Sequence, residues 1–287
     1  MVEQLTILAP GLLGASVAMA ARRFGVARRI VVWARRPEVR VQLETSPWCD
    51  AVCATPEEAA RGAALVVICA PVENIPPLAA AIRPHLGAGS IVTDVGSVKG
   101  ELCRHASAPY SADGSGPVFI GSHPMAGSEK CGHEAGCAEL FQGRSCFVTP
   151  FDHTPSAAVE TLVRFWRALG CEVVTMHPDR HDEIVAHVSH LPHLAAACMC
   201  ALLAGKPNDW RNLAGPGLRD TTRVASGDPK LWRGILHENR DEVLRALRAY
   251  QDELQALHAA LANRNDLELL AILERGKAWR DKLRLAP

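Results

Sequence analysis

Short apolar runs alternate with stretches of helical periodicity through the first 177 residues, and that alternation narrows the possible folds more than any other feature of the chain. Strands are expected near 5–9, 30–33, 65–69, 91–95, 118–120, 146–148 and 173–176. Helical patterns lie between them near 13–24, 75–86, 98–106 and 157–169. Strand–helix–strand alternation closes most economically as a parallel sheet, because each crossover returns over the sheet in a right-handed sense. The expected fold class is therefore a Rossmann-type, doubly wound α/β sheet domain followed by an all-α C-terminal domain. Strand signals stop after His177-Pro178, and the remainder reads as helices at 182–203, around 218–225, at 229–257 and at 267–283. This divides the chain into a dinucleotide-binding domain over 1–178 and a helical substrate-binding and dimerisation domain over 179–287.

Within 242–261, Val243, Leu244, Leu247, Tyr250, Leu254, Leu257 and Leu261 recur at helical spacing. So short a helical domain leaves much of that surface uncovered, and a homodimer through the C-terminal helices is the expected remedy. The 31 basic and 31 acidic residues balance, which argues against a general affinity for nucleic acid or membranes. No unbroken apolar run approaches the roughly 18 residues of a membrane span, and Glu3 interrupts any signal-like N-terminal segment, so a cytoplasmic location is expected. Ten cysteines are present without a CxxC pair. Cys131, His133 and Cys137 lack a second ligand pair, so reduced thiols and no metal are expected.

Between the first strand and first helix lies Ala9-Pro10-Gly11-Leu12-Leu13-Gly14, where a pyrophosphate would meet free helix N–H groups. Gly11 would admit the phosphates, with Leu12 and Leu13 opening the helix, and Gly14 would let helix and strand pack closely. Ala9 replaces the first glycine of the usual GxGxxG pattern, a change tolerated if its φ is negative. The tip of the second strand carries Arg35 and Arg36 where a carboxylate would normally hold a ribose 2′-hydroxyl. Two guanidinium groups suit a 2′-phosphate, so NADP is favoured, with NAD as the other possibility.

Farther along, Gly121-Ser122-His123-Pro124-Met125-Ala126-Gly127 sets an imidazole beside a glycine-containing turn. Histidine is a base that works near neutral pH, and hydride removal from an alcohol needs a base at the hydroxyl. With Ser97 and Arg219-Asp220-Thr221-Thr222-Arg223, it points to oxidation of a small, anionic, hydroxyl-bearing substrate. A guanidinium fork at Arg223 would match a substrate carboxylate, with Asp220 one turn earlier to hold the fork. Ser97 would orient the imidazole or touch the same hydroxyl, or would cap a helix beginning at Val98. Lys99 would either support the cofactor or face solvent. Pro192 removes an amide donor and is expected to kink its helix.

Five ordered motifs resemble the prephenate/arogenate dehydrogenase family of tyrosine biosynthesis. They are Thr93-Asp94-Val95-Gly96-Ser97-Val98-Lys99; His123 through Lys130; Ser189-His190-Leu191-Pro192-His193; Arg219 through Arg223; and Asp228-Pro229-Lys230-Leu231-Trp232. The resemblance implies oxidative decarboxylation of prephenate to 4-hydroxyphenylpyruvate, with His123 taking the hydroxyl proton. By family position His193 would contact the substrate's anionic side chain, while His190 is structural. Glu129 would stand near the pocket mouth, either as an ion-paired gate or as an exposed loop carboxylate. Two alternatives remain: arogenate as substrate, giving tyrosine directly, or a non-catalytic NADP-sensing regulator.

Overall fold

The computed structural model describes residues 1–110, 116–127 and 132–283. In its first half, β1 (Val2–Leu8), α1 (Leu12–Arg23), β2 (Ala27–Trp33), α2 (Pro37–Glu44), β3 (Ala51–Val52), α3 (Pro56–Ala60), β4 (Leu65–Ile68), α4 (Ile75–Ile82), β5 (Ile91–Asp94), α5 (Gly100–Ser107) and β6 (Val118–Phe119) follow in order. The six strands form one parallel sheet in the order β3-β2-β1-β4-β5-β6. Successive strand side chains point to opposite faces, and here both faces are covered. Leu5, Ile7 and Val67 join one core cluster with Val17 of α1, whereas Leu8, Val66 and Ile68 join another with Ile75 and Ile82. That double covering is why β4 reads as the unbroken apolar run Leu65-Val66-Val67-Ile68. The strand order reverses between β1 and β4, and a crevice at such a switch point is the usual ligand position in this architecture.

The next strands depart from the expected single sheet. β7 (Gly121–Pro124), β8 (Ser145–Thr149) and β9 (Glu172–Thr175), with α6 (Ser156–Ala168) between the last two, form a separate three-stranded sheet. β7 pairs antiparallel with β8, and β8 pairs parallel with β9. Apolar periodicity marks a strand without naming its partner, so 146–148 and 173–176 were legible as strands but not as members of this sheet. Gly121 lies in a tight space: an added Cβ would stand 2.6 Å from Thr149 Oγ1 and 2.9 Å from Lys99 Cδ.

Helices α7 (Pro178–Val185), α8 (Leu191–Ala204), α9 (Pro216–Thr222), α10 (Pro229–Glu238), α11 (Arg240–Ala262) and α12 (Asp266–Lys282) complete the chain. The run expected over 229–257 is broken at Asn239, a buried residue whose Nδ2 donates to the Asp182 carbonyl at 2.9 Å. Pro192 sits in the first turn of α8, and a wide π-helical turn at Ala186–His190 precedes it in place of a simple kink. A π turn shifts the local hydrogen-bond pattern and so accommodates proline's missing N–H. The continuous helical stretch Pro178–Ala204 is long and apolar enough by composition to cross a membrane, yet it carries the buried polar residues His181, Asp182, His190 and His193.

Candidate active site

The turn from β1 into α1 has the features a dinucleotide needs. At Gly14 an added Cβ would lie 3.1 Å from both Ile7 Cγ2 and Cys69 Cβ, so helix and sheet approach closely. At Gly11 an added Cβ would meet nothing within 4 Å. α1 starts with no side-chain cap and no acid in its first turn, which leaves the amides of Leu12 and Leu13 open to an anion. Ala9 adopts φ +60°, contrary to the expected negative value. Its N–H donates to Trp33 O at 2.8 Å, and this tight strand-end turn holds an L-residue in the left-handed region at a cost of about 1–2 kcal/mol. Arg35 and Arg36 are exposed just past β2, and neither has an ion pair among the described residues. Arg40 Nη1 braces their turn by donating to Ala34 O at 2.9 Å. Open amides, an accessible glycine and exposed guanidinium groups fit a dinucleotide cofactor.

His123 is held on β7 by a buried polar scaffold. Asp94, at the end of β5, accepts from Ser122 N at 3.1 Å through Oδ1 and from Gly96 N at 2.8 Å through Oδ2. Oδ2 also pairs with the ammonium of Lys99, and both side chains are fully buried. Lys99 therefore neither faces solvent nor reaches into an open cleft. Burial pushes the Asp94 carboxyl up, while Lys99 draws it back down. Ser122 Oγ hydrogen-bonds Thr93 Oγ1 at 2.7 Å and accepts from Trp166 Nε1 at 3.0 Å. This scaffold ties β7 to β5 and to α6.

Beyond the scaffold, His123 Nδ1 lies 2.9 Å from His181 Nε2, and His181 Nδ1 lies 2.7 Å from Asp182 Oδ1. Burial holds His123 well below the usual imidazole range, with His181 and Lys99 acting in the same direction. Burial lowers His181 to about 2, again helped by Lys99 and His190. Both rings are consequently neutral at ordinary pH. Asp182 also receives Lys99 N and Gly100 N, each at 2.7 Å, and thereby caps α5. This corrects the helix-capping alternative for Ser97: the helix begins at Gly100, and its free amides are met by a carboxylate from α7. Ser97 is half-buried, with its backbone beside the His190 ring.

His190 is fully buried, and its Nδ1 lies 3.2 Å from Asn239 Nδ2; burial lowers it to about 4. His193 stacks on Trp232 at 3.6 Å between ring centroids. Its Nδ1 is buried without a hydrogen-bond partner among the described residues, and burial lowers its pKa. His193 and Trp232 line a cavity of about 510 Å³ together with Arg233, His237 and Arg240. Arg223 opens a short 3₁₀ turn, Arg223–Ser226, after α9 and is exposed, as is Asp220. The expected Asp220–Arg223 brace does not form as an ion pair among the described residues. Glu129 lies outside the described residues, and the described ones contain no cluster of metal-ligating side chains. The structure thus brings His123 against His181, and His190 near Ser97 and His193, while Asp220 on α9 and Arg223 on the turn after it are exposed.

Sequence reasoning missed His181, Asp182 and Asn239. The available signal was local: Pro178 at a helix start, followed by adjacent His-Asp in the first turns, where polar residues need a buried reason only if that end of the helix faces the sheet.

The family model described as "Prephenate dehydrogenase, nucleotide-binding domain" matches residues 17–175, and the one described as "Prephenate dehydrogenase, dimerization domain" matches residues 177–275. A cyclohexadienyl dehydrogenase from Zymomonas mobilis is 31% identical over 272 residues, covering 93% of this chain and 92% of the relative. The fold is similar to that of prephenate dehydrogenase from Aquifex aeolicus in complex with hydroxyphenyl propionate and NAD+, with a TM-score of 0.89, 28% identity and 98% of each chain covered. It is likewise similar to Synechocystis arogenate dehydrogenase, with a TM-score of 0.84, 29% identity, and coverage of 97% of this chain and 99% of that one. On its sequence and its fold, this chain belongs to the prephenate dehydrogenase family.

Proposed function

We propose that the protein oxidises and decarboxylates prephenate to 4-hydroxyphenylpyruvate in tyrosine biosynthesis, using NADP in preference to NAD, as a cytoplasmic homodimer. The observation that carries the reading is His123: a buried imidazole, neutral at working pH, with its Nδ1 already engaged. Such a group can accept a proton at the nitrogen left open when its own proton sits on Nδ1. The nicotinamide, when bound, supplies the acceptor for the hydride that leaves the carbinol carbon.

The chain's own residues then divide the remaining work. His123 takes the hydroxyl proton as the carbonyl forms, a role that typically contributes about 10²–10⁴-fold. The new ring carbonyl is conjugated to the carbon bearing the carboxylate. As that C–C bond breaks, its electron pair enters the ring and carbon dioxide departs. The phenolic oxygen regains a proton, and aromatisation makes the step effectively irreversible. Ser97 orients the reacting hydroxyl, Arg223 grips the ring carboxylate with Asp220 nearby, and His193 binds the anionic side chain beside Trp232. Glu129 is assigned to the pocket mouth. Arg35 and Arg36 hold the 2′-phosphate, and the backbone of Gly11, Leu12, Leu13 and Gly14 receives the pyrophosphate.

Arogenate is the second reading, favoured by the likeness to an arogenate dehydrogenase over nearly the whole chain. Steady-state reduction of NADP and NAD, each with prephenate and with arogenate, separates the readings. Prephenate with NADP is expected to give the highest kcat/KM. Absence of turnover with both substrates and both cofactors overturns the enzyme reading. Arg35→Ala is expected to raise the KM for NADP about tenfold or more, the loss of one charge-assisted phosphate contact, and to leave that for NAD nearly unchanged. Equal losses for both remove the 2′-phosphate assignment.

A further inference from the structure

The buried chain His123–His181–Asp182 leaves little freedom in where its protons sit. A neutral imidazole carries one N–H, and an ionised carboxylate can only accept. Asp182 Oδ2 receives Gly100 N, and Oδ1 receives Lys99 N, each at 2.7 Å. Backbone donors of this kind favour the ionised carboxylate against the burial that pushes its pKa up. The only hydrogen bond His181 Nδ1 can make to that carboxylate at 2.7 Å is as donor. Its single proton is then used, and Nε2 is a bare acceptor. His123 Nδ1, 2.9 Å away, must therefore carry the proton of its own ring, which leaves His123 Nε2 without one.

We propose that His181 is a positioning residue that sets the tautomer and orientation of His123, with Asp182 as the anchor that fixes the direction of the hydrogen-bond chain. The proposal rests on the reading of His123 as the base that takes the substrate's hydroxyl proton. A ring in the other tautomer would present an N–H to that hydroxyl and could not accept from it. Tautomer errors at a catalytic histidine cost up to roughly 10⁴-fold in rate. The same carboxylate caps the helix after the Asp94–Lys99 loop, so one side chain aligns both the base and the end of the sheet from which Ser97 projects. Phe147 closes the chain from the side, edge-on to His181 at 5.2 Å between centroids. Lys99 and His190 are the other charged or titratable groups facing His181, and Lys99 is occupied by Asp94.

Two measurements test the inference. In the wild-type protein labelled with ¹⁵N-histidine, two-bond nitrogen–proton couplings report which ring nitrogen is protonated, with His123 identified by the signal lost in His123→Gln. A proton on Nδ1 of both His123 and His181 is expected; a proton on Nε2 of His123 overturns the proposal. The kinetic measurement compares His181→Gln, whose amide oxygen reaches about as far as Nε2, with His181→Leu, which offers no acceptor. His181→Leu is expected to lower kcat about 10²-fold with substrate and cofactor KM within about threefold, and His181→Gln to recover at least tenfold of that loss. Equal losses in kcat for the two variants, or a loss confined to KM, overturn it. If His181→Leu does not fold, the wild-type tautomer decides the matter. If the wild type turns over neither prephenate nor arogenate, the functional reading fails, while the tautomer still tests the hydrogen-bond chain itself.

Discussion

Helix α1 buries seven of its twelve residues, whereas α12, with seventeen, buries none. Both lie in a chain of ordinary apolar content, so the contrast is one of construction. The sheet half closes on itself: α1, α4 and α5 cover the parallel sheet from both sides, α6 packs on β8 and β9, and β1, β4 and β5 are buried over most or all of their length. The helical half keeps Leu267, Leu270, Leu273 and Trp279 more than half exposed, along with Leu202 and Leu213. Apolar surface on that scale marks an interaction face. One half is finished as a single chain, and the other is made to be covered.

The largest expected effect breaks the contrast at its exposed end. Leu270→Glu combined with Leu273→Glu should weaken the proposed homodimer by about 10³-fold or more, read by sedimentation equilibrium, because charge is placed where apolar surface must be buried. Val41→Glu, at an equally exposed apolar position of the sheet half, should leave the assembly unchanged. A double variant that remains fully dimeric would move the interface away from α12.

Next in size is a comparison of two ion pairs. Lys99→Met strands the buried Asp94 carboxyl and should cost about 3–5 kcal/mol in urea unfolding. Lys277→Met removes an exposed pair with Asp281 on α12 and should cost no more than about 0.5 kcal/mol. Similar costs for the two would mean that the Asp94–Lys99 pair does not organise the sheet's edge.

Acid should act on the seam between the halves. His123, His181 and His190 are held neutral by burial, with folded pKa values below the ordinary 6.5. The unfolded chain thus takes up protons first as pH falls. Stability is complete above about pH 6.5 and is lost progressively below it, by about 1.4 kcal/mol per histidine between pH 7.5 and 5.5. Asp94 and Asp182, pushed up by burial, oppose part of this, so the net fall is smaller than the sum over the three rings. His190→Gln should reduce the acid loss by its share of about 1.4 kcal/mol, measured as the change in urea unfolding free energy between the two pH values. An unchanged pH slope would mean that His190 titrates normally.

The smallest effect refines the cofactor turn. Ala9→Gly relieves a left-handed alanine worth about 1–2 kcal/mol but frees the unfolded chain by about 0.4–1 kcal/mol, so a net gain between zero and about 1.6 kcal/mol is expected from thermal unfolding. A loss of stability would show that Ala9 is not strained.

The degree to which each half could be read from sequence follows the same contrast. Parallel strands buried on both faces write themselves as runs such as Leu65–Ile68, and the fold class followed from those runs and the helices between them. The two-residue strand β3 and the largely exposed α2 carry too little apolar signal to be read. β7 was hidden because Gly121, Ser122, His123 and Pro124 are buried for polar and steric reasons and not for hydrophobic ones. His123 was legible as a base because a lone imidazole near a glycine turn is chemically conspicuous. Its partners were not, since His181 and Asp182 lie 58 residues or more away, and nothing local says which strand a helix end will meet. Ala9 was misjudged for a related reason: replacing glycine by alanine suggested a change of backbone, and the structure kept the backbone instead.

The π turn at Ala186–His190 has a consequence of phase. Along an ordinary helix each residue advances about 100°, so positions nine apart, such as His181 and His190, would point in opposite directions. A single wide turn sets the later residues back by roughly 100°, swinging His190 round towards the azimuth of Asp182, where Asn239 bridges the two. Deleting one residue within that turn would therefore leave a regular helix in the same phase, with His190 only eight positions after His181, at about 80°, and still beside Asp182 at about 100°.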